Sequence, residues 1–367
     1  MRVLVAPDAF AGAMSAVEAA HAIREGWLRR APDDEVDLAP MSDGGPGLVD
    51  VLQATLGGEL LARTVRGPFG EAVPASLLVV DDGDRRTAYV EAAQAGGLHL
   101  SRGERGEQAS SYGVGELLAA AVDAVGETGR VVVGLGALGT NDGGAGLLAA
   151  LGATADRPLD AGAAGLEGVT EVNLGPARAR VGGVGVRGAC EDASLLSGLF
   201  GTTKAAGGER GITEERLPGV DAVLESWGAA TGRRVALEER TGAGGGCGHA
   251  LRLLGADLHD GLRTVAEALD LPARSAAAEV VLTGEASLDF SGRSGRVPGA
   301  VARVAADAMR PCVVLAGRVV LGRRELRTQG IEAAYGVADL VDPQRAATDP
   351  GGALADLAAR VARTWSM

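Results

Sequence analysis

Carboxylates set beside glycine pairs are the residues of this chain best suited to chemistry. Ser42-Asp43-Gly44-Gly45 and Asn141-Asp142-Gly143-Gly144 each place an acid next to two residues without side chains. Asp8, Glu285 and Asp289 stand just beyond short apolar runs. Such carboxylates hold Mg²⁺ or accept the proton of an attacking hydroxyl, while glycines let backbone N–H groups approach phosphate oxygens, so the pattern points to phosphoryl transfer. Asp-Gly-Gly also makes plain turns and helix caps, whatever the function. One motif alone favours that reading; two, both following apolar runs, leave phosphoryl transfer standing beside it.

Other chemistries are less well served. No GxxxxGK[ST] loop occurs, and Lys204, which ends Gly201-Thr202-Thr203-Lys204, lacks the preceding spacing of a phosphate-binding loop. The glycines from Gly242 to Gly248 do not follow a clear strand, so a dinucleotide fingerprint is weak there. Cys247 and His249 form a dyad on paper but read as incidental neighbours. His21 falls on the pattern of the first helix, and His99 and His259 are read as lacking acidic or cysteine neighbours at ligand spacing. Cys190, Cys247 and Cys312 are too far apart for a zinc site or a disulfide framework.

The candidate residues must be held by strand ends. Val3-Leu4-Val5 leads to Asp8, and Val36 to Leu38 leads to Asp43; a helix from Ser15 to Arg30 lies between. Val131-Val132-Val133 enters the glycine-rich stretch Gly134 to Gly146, Val280 to Leu282 enters Thr283-Gly284-Glu285, and Cys312 to Leu315 enters Ala316-Gly317. Apolar runs alternating with helical segments predict parallel strands buried between helices, with ligands at the carboxyl ends of the strands. From Leu60 to Ala93 the alternation and turn signals predict antiparallel hairpins instead. The fold class expected is α/β with two domains: a doubly wound Rossmann-like parallel-sheet domain of residues 1–60 and 255–367, and a second α/β domain, 61–254, inserted in it. The active site is expected in the cleft between them.

The bulk properties agree with a small-molecule enzyme. With 367 residues, 46% apolar and 23% charged, the chain has material for two cores. A net charge of −13 and arginines scattered in pairs leave no basic stripe for nucleic acid. Three tryptophans, three tyrosines and four phenylalanines are too few for base-stacking platforms. No apolar run is long enough to span a membrane, and Pro7 and Asp8 interrupt any signal-peptide core. A cytoplasmic protein is expected, with no nucleic-acid or membrane partner; a homodimer is compatible with the sequence.

Taken together, Val-Leu-Val-Ala-Pro-Asp8-Ala-Phe10 with Ser15-Ala16, Ser42-Asp43-Gly44-Gly45-Pro46-Gly47, Gly134-Leu135-Gly136 leading to Thr140-Asn141-Asp142-Gly143-Gly144, Ala189-Cys190, Thr283-Gly284-Glu285 with Asp289, and Leu315-Ala316-Gly317 resemble the bacterial type I glycerate kinase family. The order and spacing hold over nearly the whole chain. The resemblance implies two α/β domains and transfer of the γ-phosphoryl group of ATP, with Mg²⁺, to a hydroxyl of D-glycerate. It implies a catalytic centre of Asp8, Asp43 and Asp142, with Glu191 or Asp192 in support, and a metal held by Asp43, Asp142 and Glu285. Gly44, Gly45, Gly143, Gly144, Arg210, Gly284, Glu285, Asp289 and Arg296 would contact substrate or phosphate.

The chain also departs from the family pattern. Ala11 and Ala13 stand where a lysine and a serine are usual, and Gly136-Ala137-Leu138-Gly139 replaces a more polar segment. Glu191-Asp192-Ala193-Ser194 replaces an Asp and a downstream Asn-Pro, and Arg210 and Arg296, the latter in Ser294-Gly295-Arg296, replace lysines. An arginine keeps the charge and adds a planar fork. Two further readings therefore stand beside a glycerate kinase: a paralogue impaired in catalysis that serves as a ligand sensor or partner protein, and a kinase for a bulkier, less polar hydroxy acid.

Overall fold

The computed structural model describes residues 1–291 and 295–366, so Ser294 lies outside the described residues. Two compact units form: one from Met1–Asp43, Asp50–Leu56 and Leu262–Met367, the other from Gly44–Val49 and Gly57–Gly261. In chain order the strands are β1 (Arg2–Val5), β2 (Glu35–Leu38), β3 (Glu59–Arg66), β4 (Ala72–Asp81), β5 (Arg86–Glu91), β6 (Arg130–Leu135) and β7 (Thr154–Ala155). They continue with β8 (Val172–Asn173), β9 (Gly185–Cys190), β10 (Asp257–Asp260), β11 (Val280–Leu288), β12 (Cys312–Val319) and β13 (Ala333–Gly336).

The first unit is a parallel sheet in the order β13-β12-β11-β1-β2. Val3 sits between Val280 of β11 and Val36 of β2, and Leu282 lies beside Val313 of β12. β1 reads as an unbroken apolar run because Val3, Leu4 and Val5 are buried with helices on both faces of the sheet. Ser15 caps the helix Ala16–Arg30 and Glu18 returns the bond, a reciprocal box that fixes where the helix starts. Its buried face, Ala19, Ile23 and Trp27, packs on the helix Pro350–Trp365 through Leu354, Leu357 and Val361. Gly26 makes that approach possible, since a Cβ there would overlap the Ala355 carbonyl. The chain runs outward from β1 to β2 and then returns to the other side of β1 at β11. This reversal puts a topological switch point between the carboxyl ends of β1 and β11, the usual binding position in open α/β sheets.

One local expectation changes. β11 and β12 do not stop at their first glycines; β11 continues through Gly284 and Glu285 to Leu288, with Glu285 paired to Ala316 and Leu288 to Val319. The physical reason is that each strand supplies the other with a long ladder, and Gly284, which has no Cβ, lets the Leu315 carbonyl close in.

The second unit is a six-stranded sheet, β10-β9-β6-β5-β4-β3, in which β10, β9, β6 and β5 are parallel. β4 runs antiparallel to both β5 and β3, the hairpins foreseen between Leu60 and Ala93. Leu77, Val90, Leu117, Val133 and Trp227 belong to its core. Both units are thus α/β with parallel strands at their centres. Among the described residues no helix is long and apolar enough to cross a membrane.

Candidate active site

In the first unit two strand ends and the middle of a third strand carry the acids. Asp8 follows β1, and its backbone N–H donates to the Gly284 carbonyl at 2.8 Å, which pins this loop against β11. The Ala9 N–H donates to Asp8 Oδ1 at 2.7 Å. Burial raises the Asp8 carboxyl from its ordinary 3.8 to about 7; the Ala9 hydrogen bond opposes the rise, the neighbouring Asp43 adds to it, and Arg296 opposes it. Asp43 follows β2 and accepts a hydrogen bond from Arg296 Nη1 at 3.0 Å, in an ion pair whose two side chains are 27% and 26% exposed. Glu285, in β11, is 7% exposed and accepts from the Gly295 N–H at 2.8 Å, where the helix Arg296–Asp307 begins.

Asp289 lies one residue beyond β11. It accepts from the Ser291 N–H at 2.8 Å and from Ser287 Oγ at 2.7 Å, and these bonds hold its carboxyl below the usual range. Gly284, expected to contact ligand, lies inside the β11–β12 ladder. Thr283 Oγ donates to the Ala6 carbonyl at 2.7 Å, a second tie between β11 and the end of β1.

In the second unit the Asn141-Asp142-Gly143-Gly144 segment follows β6, but its acid is enclosed. Asp142 is 0% exposed and accepts four hydrogen bonds: Ser111 N–H at 2.8 Å, Ser111 Oγ at 2.9 Å, Gly144 N–H at 3.0 Å and Gly146 N–H at 3.1 Å. Burial raises its pKa against the pull of those donors. The N–H of Gly143 donates to the Gly245 carbonyl at 2.9 Å, so the N–H groups of both Gly143 and Gly144 are taken up inside the unit.

Arg210 is buried as well. Its Nη1 donates to Asn141 Oδ1 at 2.8 Å and Thr202 Oγ at 2.9 Å, and its Nε to the Leu138 carbonyl at 3.1 Å. Asn141 Nδ2 completes the clamp by donating to Thr203 Oγ at 2.9 Å. Neutral oxygens surround this guanidinium, and burial lowers its pKa. Glu191 accepts from the Ala137 N–H at 2.8 Å, and exposed Asp192 accepts from the Ser194 N–H at 2.8 Å. Leu138 packs into the core.

Gly44 has φ +95°, in the left-handed region, and a Cβ there would stand 2.7 Å from the Ala189 carbonyl oxygen. Gly44→Ala is expected to destabilise the protein by about 1–3 kcal/mol, read as a lower urea midpoint with an unchanged slope.

Three features of the second unit were not foreseen. Glu91, at the end of β5, is buried and accepts from the N–H groups of Gly47 and Val49 at 3.1 and 3.2 Å, capping the helix Leu48–Leu56. Ser111 anchors Asp142 and accepts from Leu147 N–H at 2.9 Å. Thr202 and Thr203 hold Arg210 and Asn141. Ser111 immediately before the helix Tyr112–Val125 carries a cap-like signal, whereas Glu91 has no local one. Cys247 and His249 are buried separately: His249 Nε2 meets Thr231 Oγ at 2.8 Å with its pKa lowered by burial to about 4, and the Cys247 thiol faces Ser111 and Thr140. Among the described residues no three His, Cys, Asp or Glu side chains are grouped to hold a metal by themselves.

Comparison with known proteins accounts for this arrangement of motifs. The glycerate kinase family model matches residues 3–366. Glycerate kinase of Bacillus subtilis is 32% identical over 92% of this chain and 90% of its own, and glycerate 2-kinase of Escherichia coli gives the same figures. An uncharacterized protein of Mycobacterium bovis is 39% identical over 99% of this chain and 91% of its own. A crystal structure of a "putative glycerate kinase 2" from Salmonella typhimurium LT2 superposes with a TM-score of 0.83 at 30% identity, covering 99% of this chain and 98% of that one. With motifs, fold and comparisons in agreement, the chain belongs to the glycerate kinase family of phosphotransferases.

Proposed function

We propose that the protein transfers the γ-phosphoryl group of ATP to a hydroxyl of D-glycerate or a closely related small hydroxy acid. The observation that carries this reading is Asp8: a carboxyl at the switch point of a parallel sheet, raised to about 7, beside the Asp43–Arg296 pair. A base poised near neutral pH takes a hydroxyl proton efficiently. Asp8 accepts that proton as the substrate oxygen bonds to the γ-phosphorus and the bond to the β-phosphate oxygen breaks. Arg296, with its fork of donors, orients a phosphate or the substrate carboxylate, and Asp43 keeps it in place. Asp43 would hold Mg²⁺, which usually takes one or two carboxylates and completes its shell with phosphate oxygens and water, leaving Asp8 free to take the proton. When bound there, the ion neutralises charge on the phosphates.

A second reading, a binding protein without turnover, is favoured by the enclosed N–H groups of Gly143 and Gly144 and by Ala11 and Ala13, which are exposed side chains without a charge or hydroxyl. Coupled ADP-release assays with Mg²⁺ and a panel of hydroxy acids separate the two. Turnover of D-glycerate well above an Asp8→Asn control supports the kinase; calorimetric binding of the acid without ADP release from any of the panel supports the binding protein.

A further inference from the structure

The first unit contains a cavity that none of the roles above uses. It has a volume of about 390 Å³ and lies at the carboxyl ends of β11, β12 and β13, against the helix Pro350–Trp365. Phe10, Met14, Ala286, Gly317, Ala338 and Ala347 are among its walls, and no charged side chain lines it. We infer that this cavity receives the purine base and ribose of the nucleotide, an inference that rests on the kinase reading for its phosphates but not for its pocket.

Three observations select this occupant. The volume falls within the ~300–1,000 Å³ range of small-molecule sites and suits a nucleoside better than a three-carbon acid. The walls are apolar, so a charged hydroxy acid would lose its hydration without a partner, whereas a flat heteroaromatic base buries its faces there at a gain. The cavity is also close in the chain to one of the acids: Phe10, in its wall, is two residues from Asp8 in the loop after β1. A nucleoside seated here has its phosphates leave toward the residues proposed to handle them. Ala286, Ala338 and Ala347 with Gly317 leave the space that larger side chains would fill.

The experiment fills the cavity and reads nucleotide binding apart from turnover. Wild-type protein is titrated calorimetrically with ADP and with adenosine, alongside Ala347→Trp at the exposed rim and Ala338→Leu as the milder variant. Both ligands are expected to bind wild type and to bind the variants about tenfold or more weakly, with the KM for ATP rising in parallel and the KM for D-glycerate and the melting temperature unchanged. Failure of adenosine to bind wild type, or ADP binding to a folded filled variant as tightly as to wild type, overturns the inference. If the filled variants bind ADP normally while D-glycerate is still phosphorylated, the pocket is wrong and the kinase reading stands. If filling abolishes ADP binding but no acid is phosphorylated by wild type, the pocket stands and the kinase reading fails.

Discussion

Replacing Asp8 with asparagine is expected to lower kcat by about 10²- to 10⁴-fold, the usual range for losing a general base, while making the folded protein more stable at pH 8. The two effects have one cause. Burial raises the folded-state carboxyl from 3.8 to about 7, so the folded protein holds a proton there that the unfolded chain releases. The associated stability is fully present below pH 3.8 and is lost as the pH rises through about 7. At pH 8 the wild type keeps a partly buried carboxylate beside Asp43, whereas asparagine resembles the protonated acid and carries no charge. The gain is expected to be about 1–3 kcal/mol at pH 8 and to fade below pH 5, measured as the difference in urea midpoints across that range. Equal pH dependence of stability in the two proteins would show that Asp8 titrates normally.

The second large effect concerns folding. Asp142→Ala removes one side chain and strands four donors, the Ser111 N–H and hydroxyl and the N–H groups of Gly144 and Gly146. A loss of about 3–5 kcal/mol is expected, because buried donors without an acceptor keep their desolvation cost. Asp142→Asn should recover only part of it, since an amide has one acceptor oxygen where the carboxylate uses both. Differential scanning calorimetry is the check, and a melting temperature unchanged in both variants would remove Asp142 from its structural role. Loss of activity in either variant therefore says little about chemistry unless the protein is shown to be folded, in contrast to Asp8→Asn.

The sequence made the first unit legible because its signals are local. Three-residue apolar runs, a capped helix and acids just past the runs correspond to β1, the helix Ala16–Arg30, β2 and the placement of Asp8 and Asp43. The partnership of Asp43 with Arg296 was not legible, for 253 residues separate them and only sheet order brings them within hydrogen-bond distance. The extension of β11 past Gly284 was hidden for a similar reason: a glycine reads as a breaker until a neighbouring strand of similar length supplies its ladder. In the second unit, Asp142 looks from sequence like Asp43, with the same Gly-Gly following. Ser111, 31 residues earlier, turns it into a buried anchor, which no spacing within the motif reveals. Arg210 likewise reads as an available cation, yet its donors meet Leu138, Asn141 and Thr202.

These placements give Leu138, Ala11 and Ala13 a physical meaning. Leu138 fills core space and lends its carbonyl to Arg210, so apolar character there serves packing. Ala11 and Ala13 lie on the turn closed by the pairing of Phe10 with Met14, beside the cavity assigned to the nucleoside. Small side chains on that turn leave the mouth of the cavity open, and Ala13 itself forms part of the wall.

The most direct measurement is ³¹P nuclear magnetic resonance of the wild-type protein with ATP, Mg²⁺ and D-glycerate, followed across the pH range in which Asp8 titrates. The γ-phosphate signal is expected to give way to a phosphomonoester signal, at a rate that falls as one group with pKa near 7 becomes protonated and with no such limb in Asp8→Asn. A γ-phosphate signal that persists, or that passes only to inorganic phosphate, would contradict phosphoryl transfer to the acid by these residues.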